Sequence, residues 1–97
     1  MGEVNQQEAQ LRATEELLGF LEAQLAELED ARNVHRVRER LFGDRWAETL
    51  DVEALPEGIF EPVAAEVDRA WNALTRYPWD LYGAQQALKT AVAIVRG

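Results

Sequence analysis

A leucine-rich stretch near the N-terminus constrains the fold of this chain more than any other feature. Residues 5–31 contain no proline and are rich in Ala, Leu, Glu and Gln, which favour helix. The apolar positions follow a heptad a/d pattern in which Thr14 is the one weak position. This leucine seam consists of Leu11, Leu18, Leu21, Leu25 and Leu28. It predicts a long, coiled-coil-like helix whose leucines are covered by another helix.

The apolar stripe changes sides after residue 30. Val34, Val37 and Leu41 have helical spacing among themselves, but on a continuous helix Val34 lies above Glu16 rather than above the leucines. The positions where the seam would continue are occupied by arginines. The two halves of such a helix would therefore present their apolar faces to different partners.

Two arrangements satisfy this change of face. Because no Gly or Pro forces a break, we predict one helix over residues 5–42, either straight or bent near residues 30–33. The alternative is a break near Asp30 and Asn33, each of which can cap a new helix.

The remainder of the chain predicts three shorter helices and no strand. They are expected at residues 44–50, 62–76 and 81–95. Asp44 and Asp80 are suitable N-caps, and Pro62 suits a first helical turn. A chain of 97 residues forms one domain, residues 1–97. We therefore predict an all-α fold, a three- to four-helix bundle with a long N-terminal coiled-coil-like helix.

The composition argues against several classes of function. There is no Cys and no Ser, and His35 is the only histidine, so thiol and serine nucleophiles are absent and no metal site is expected. We predict no enzymatic activity and no cofactor. No apolar run approaches a membrane span and no signal-peptide pattern is visible, so we expect no membrane partner and a cytoplasmic location.

The net charge of −8 is unevenly distributed. Residues 1–30 hold eight acids and one Arg, whereas residues 31–46 hold five Arg against Glu39 and Asp44. An acidic surface is unsuited to direct nucleic-acid binding. The arginine cluster has three interpretations: intramolecular ion pairs at a helix C-terminus, an interface with an acidic partner or second copy, or a pocket for a small anion.

These patterns favour a small protein-binding module, an adaptor, regulator or inhibitor. We expect it to self-associate through the N-terminal helix as a homodimer. The predicted partner-binding residues are the leucine seam and three arginines, namely Leu11, Leu18, Leu21, Leu25, Leu28, Arg32, Arg36 and Arg40. The strongly acidic first thirty residues allow one alternative, an acidic nucleic-acid mimic that inhibits a DNA-binding protein.

The segment "LRATEELLGFLEAQLAELEDARNVHRVRER" resembles the first helix of the small all-helical chorismate mutases. The resemblance covers about a third of the chain. It implies a dimeric enzyme that holds a dicarboxylate through arginines, here Arg12, Arg36 and Arg40. The family's central arginine corresponds to Leu28, which removes one anion contact, so this activity stands as an alternative function.

The aromatic segment "RYPWDLY", residues 76–82, lies around a proline turn. We interpret it as a lid over the core where two helices meet. The alternative is an exposed anchor for a protein partner, because Trp and Tyr dominate binding hot spots. The lone His35 is expected to be a solvated side chain.

Overall fold

The protein folds into five α-helices joined by short connections. The computed structural model describes the backbone of residues 2–43 and 45–97 and the side chains of residues 6–43 and 45–97. The helices are α1 (Gly2–Glu27), α2 (Val34–Leu41), α3 (Arg45–Glu48), α4 (Phe60–Thr75) and α5 (Leu81–Arg96), with 3₁₀ turns at Ala31–Asn33 and Val52–Ala54. No strand occurs in these described ranges. The predicted all-α bundle is confirmed.

The chain reverses direction between α1 and α2. Arg36 of α2 reaches Glu27 at the end of α1, with Nη1 3.4 Å from Oε1. Further along, Trp46 of α3 stacks on Phe20, with ring centroids 5.9 Å apart. From Arg36 to Trp46, the contacted residue of α1 moves back from Glu27 to Phe20. The arm formed by α2 and α3 therefore runs antiparallel to α1.

Helices α4 and α5 complete an up-down-up-down bundle. Phe60, at the start of α4, stacks on Trp46, so α4 begins where the α2–α3 arm ends. Helix α5 then returns antiparallel to α1: the Gln85 side chain donates to the Leu28 carbonyl over 3.0 Å, and Arg96 pairs with Glu22 over 3.2 Å. Each long helix therefore has antiparallel neighbours, as in other four-helix bundles.

The prediction of one helix over residues 5–42 is wrong in its continuity. Helix α1 ends at Glu27 and α2 begins at Val34. The physical reason is the change of apolar face: a continuous helix would leave one of the two stripes in water. Asn33 stabilises the break because its side-chain amide donates to the Glu27 carbonyl over 3.0 Å, which satisfies a helix-terminal group.

The core-facing stripe of the N-terminal segment differs from the predicted seam, because only two of the five seam leucines are fully buried. Leu21 and Leu28 are fully buried, whereas Leu11 is 61% exposed. Leu18 and Leu25 are half-buried at the edge of the core. The other buried positions of the stripe are Ala13, Leu17 and Gln24. The protein's own helices thus cover Leu21 and Leu28 but leave Leu11 accessible. Pairing of the seam with a second chain remains a prediction.

The start of α5 and the end of α2 follow from local sequence. Asp80 accepts a hydrogen bond from the Gly83 backbone N–H over 2.8 Å and caps α5. Gly43, with a φ of 57°, follows α2 in the left-handed conformation that glycine adopts without a Cβ penalty. Asp44, the predicted cap of the short helix, lies outside the described residues.

None of the helices that the structure describes is both long and apolar enough to cross a bilayer.

Leucine truncations test which positions of the leucine seam lie in the core and which lie on the surface. Leu28→Ala should lower the free energy of unfolding by about 2–5 kcal/mol, because it leaves a cavity at a fully buried site. Leu11→Ala, the matched control, should change it by less than about 0.5 kcal/mol. Urea denaturation followed by circular dichroism measures both. Equal losses for the two variants would contradict this packing.

Candidate functional site

Two features of the described surface carry chemistry or contact potential. One is the arginine cluster on α2 and α3, which lies against the acidic end of α1. The other is a group of aromatic side chains where α4 turns into α5. The reversal after α1 brings α2 into contact with both regions. Arg36 of α2 pairs with Glu27 of α1, and His35 of α2 contacts Trp79 in the turn between α4 and α5.

Glu27 is the centre of the arginine cluster. Its carboxylate accepts from Arg36 through one oxygen and pairs with Arg40 through the other. Arg40 also donates from Nη1 to the Gln24 side-chain carbonyl over 3.3 Å, and Gln24 is buried. The side chain of Glu27 is only 24% exposed, so solvent screens these pairs less than an ordinary surface pair. Two of the clustered arginines therefore hold α2 against α1.

Arg32 has a separate, more local role. Its guanidinium and backbone N–H both donate to Asp30, with Nη2 2.7 Å from the carboxylate. The hydrogen bonds from the guanidinium, which have the larger effect, and from the backbone N–H both lower the pKa of Asp30. The contact between the two side chains also raises the pKa of Arg32. The resulting stabilisation is present above the ordinary carboxyl pKa of 3.8 and is lost as pH falls through the lowered value. Both groups are solvent-exposed, so this pair closes the turn rather than building a pocket.

The aromatic end, defined here as His35, Tyr77, Trp79 and Tyr82, is the most exposed apolar feature of the described residues. Tyr77 is 83% exposed and Tyr82 is 71% exposed. Trp79 is half-buried and contacts Tyr77 and His35 edge-on, with ring centroids 5.4 Å apart in each case. This arrangement differs from the predicted core lid, because the two tyrosines project into solvent.

The elements around the aromatic end fix its rings. Trp79 follows the end of α4, and the Asp80 N–H donates to the Ala73 carbonyl over 3.0 Å, which ties the turn back to α4. His35 belongs to the first turn of α2, and its Nδ1 lies 3.1 Å from Nη2 of Arg38. His35 is exposed, as expected, but it also supports Trp79. Sequence reasoning missed this contact, because nothing in the residue pattern places α2 beside the α4–α5 turn.

The residues predicted to bind a partner are dispersed rather than gathered into one surface. Leu21 and Leu28 are in the core, and Leu11 is exposed in the first half of α1. Arg32, Arg36 and Arg40 all have carboxylate partners within the chain. Arg12 lies on α1, and it does not line the cleft that contains Arg36 and Arg40.

Comparison of the chain with protein-family models, with curated proteins and with solved structures finds no significant match. Among the side chains that the structure describes, no group of three or more His, Asp or Glu residues could hold a metal ion. Function must therefore be argued from the geometry of the surface.

Neutralising the shared carboxylate tests the structural role of the arginine cluster. Glu27→Gln should lower the free energy of unfolding by about 1 kcal/mol, because two guanidiniums lose one partly buried partner. The loss should shrink in 1 M NaCl, since salt screens the pairs that remain in the wild type. Glu22→Gln, which removes one exposed pair with Arg96, serves as the control and should cost less than about 0.5 kcal/mol. Similar losses in the two variants, or no salt dependence, would argue against this role.

Proposed function

We propose that the protein is a protein-binding module, an adaptor, regulator or inhibitor, and that the aromatic end is its principal contact surface. The observation that carries this proposal is the exposure of Tyr77 and Tyr82 beside the half-buried Trp79. Large aromatic side chains that remain in water are costly for a monomer and are favoured as binding hot spots.

The rings of the aromatic end are well suited to a protein partner. Trp79 is held between Tyr77 and His35, so its orientation is set before binding and little side-chain entropy is lost on contact. The tyrosines add large contact areas with hydroxyls that can donate and accept. Arg38 lies beside His35, with Nη2 3.1 Å from Nδ1, and the exposed Arg76 directly precedes Tyr77 in the chain. Aromatic anchors with an arginine rim are typical of protein interfaces.

The other functions considered from the sequence have less support. A dicarboxylate-binding enzyme of the chorismate mutase type would use Arg12, Arg36 and Arg40 together, but Arg12 does not line the cleft that contains Arg36 and Arg40. An acidic nucleic-acid mimic would present the carboxylates of α1 to a basic partner. Glu22, Glu27 and Asp30 are each paired with an arginine of the chain. These pairs reduce the negative potential that such a mimic would need.

Removing the exposed aromatic rings tests the proposal. The double variant Tyr77→Ala/Tyr82→Ala should fold normally and should lose at least about tenfold in the amount of co-purifying partner, because two hot-spot side chains are removed. Quantitative mass spectrometry of proteins captured by tagged wild type and variant measures this loss.

Phe42→Ala is the matched control, because Phe42 is also exposed but contacts Trp71 and lies outside the aromatic end. It should retain the partner at the wild-type level. Unchanged capture by the double variant, or equal loss in the Phe42 control, would exclude the aromatic end as the contact surface.

We also propose that the protein forms a homodimer through the outer edge of α1. Leu11, Leu18 and Leu25 are seven residues apart, so they form one line along the helix. Leu11 is exposed, and Leu18 and Leu25 are half-buried. A second copy packed on this line would cover the leucines that the chain leaves accessible. Glu8 and Glu15, exposed on the same helix, would oppose such pairing at low salt.

Sedimentation equilibrium tests the homodimer. The average mass should rise with protein concentration and rise further in 0.5 M NaCl, and Leu11→Lys should suppress the rise because it places a charge in the contact. A constant monomer mass over the whole concentration range, at both salt levels, would exclude self-association.

A further inference from the structure

We propose that a cleft between α1, α2 and α3 binds a small aromatic carboxylate. The cleft has a volume of about 330 Å³, within the range of small-molecule sites. Its lining consists of Phe20, Arg36, Glu39, Arg40, Arg45, Trp46 and Thr49. Three arginines and two aromatic side chains thus line one cleft in a protein whose net charge is −8.

The aromatic side of the cleft is rigid. Phe20 and Trp46 stack with nearly parallel rings, 17° apart in plane, and Trp46 stacks in turn on Phe60 with centroids 5.6 Å apart. Trp46 is 4% exposed, so it is held by the core while its edge reaches the cleft. A ligand ring can pack on this surface without reorganising it, which favours an aromatic ligand over a purely polar one.

The polar side of the cleft suits a carboxylate. Arg36 and Arg40 contact Glu27 through Nη1 alone, in the contacts that the structure describes. A guanidinium carries five N–H donors, so both arginines can donate to a second anion through their other nitrogens. Arg45 adds a third positive charge from α3, whereas the Thr49 hydroxyl donates to the Trp46 carbonyl over 3.3 Å. Planar guanidiniums match the two oxygens of a carboxylate.

Glu39 limits the affinity and provides a sensitive test. It lines the same cleft as the three arginines, so its charge opposes an incoming anion. The net positive charge of the lining therefore increases when Glu39 is neutralised. A substitution that improves binding cannot be explained by partial unfolding, whereas loss of binding could be.

Two-dimensional ¹H–¹⁵N NMR titration with benzoate tests the site. Benzoate should shift the indole signal of Trp46 and the Nε signals of Arg36, Arg40 and Arg45. Glu39→Gln should tighten benzoate binding about threefold, because it removes a repulsive negative charge. Arg45→Ala should weaken benzoate binding about tenfold, because it removes an ionic hydrogen-bonding partner. Arg12→Ala, which removes the same charge outside the cleft, should leave the affinity unchanged.

Three further probes separate the ring from the charge. Benzamide should bind at least about tenfold more weakly than benzoate because it lacks the charge, and acetate should bind more weakly because it lacks the ring. Inorganic phosphate should also bind more weakly than benzoate.

The assignment is overturned if benzamide, acetate or phosphate binds as well as benzoate, or if Arg12→Ala weakens binding as much as Arg45→Ala. Tighter binding of N-acetylglutamate amide than of benzoate would instead assign the cleft to an acidic side chain of a protein.

Discussion

The fold depends on one conflict between helix geometry and apolar pattern. The leucines of α1 and the valines of α2 lie on opposite sides of any continuous helix, so both sets can reach one core only if the chain turns between them. The turn at residues 28–33 resolves this conflict. It places α2 antiparallel to α1, and α3, α4 and α5 then assemble on the surface that the two segments create.

The same turn explains why an acidic protein gathers half of its basic residues within residues 32–45. Once α2 folds back, its arginines meet the carboxylates at the end of α1, and Glu27 serves two of them. These contacts are electrostatic and partly exposed, so they specify the register of the two helices more than they add to the free energy of folding. The cleft beside this contact is lined by the arginines, which keep unused N–H donors, and by the stacked rings of Phe20 and Trp46.

Sequence reasoning could predict what depends on local pattern. The all-helical class and the capping role of Asp80 follow from spacing and residue type, and the structure has both of them. The change of face at residue 30 was also visible, but the choice between bending and breaking was not, because the Asn33 contact that stabilises the break depends on the folded turn. The sequence also left open whether the tyrosines are buried or exposed, because burial there depends on which helix packs beside the α4–α5 turn.

The most direct test of this account is the distance between spin labels at positions 19 and 48, introduced by Gly19→Cys and Glu48→Cys in a chain without natural cysteines. A side chain at Gly19 meets no neighbour within 4 Å, and Glu48 is exposed, so labels should not disturb the fold. A reversed arm predicts a narrow distribution centred below about 25 Å, whereas one continuous helix would place residues 19 and 42 alone about 35 Å apart at 1.5 Å per residue. A distribution centred at or beyond about 35 Å would contradict the reversal on which the bundle, the aromatic end and the cleft all depend.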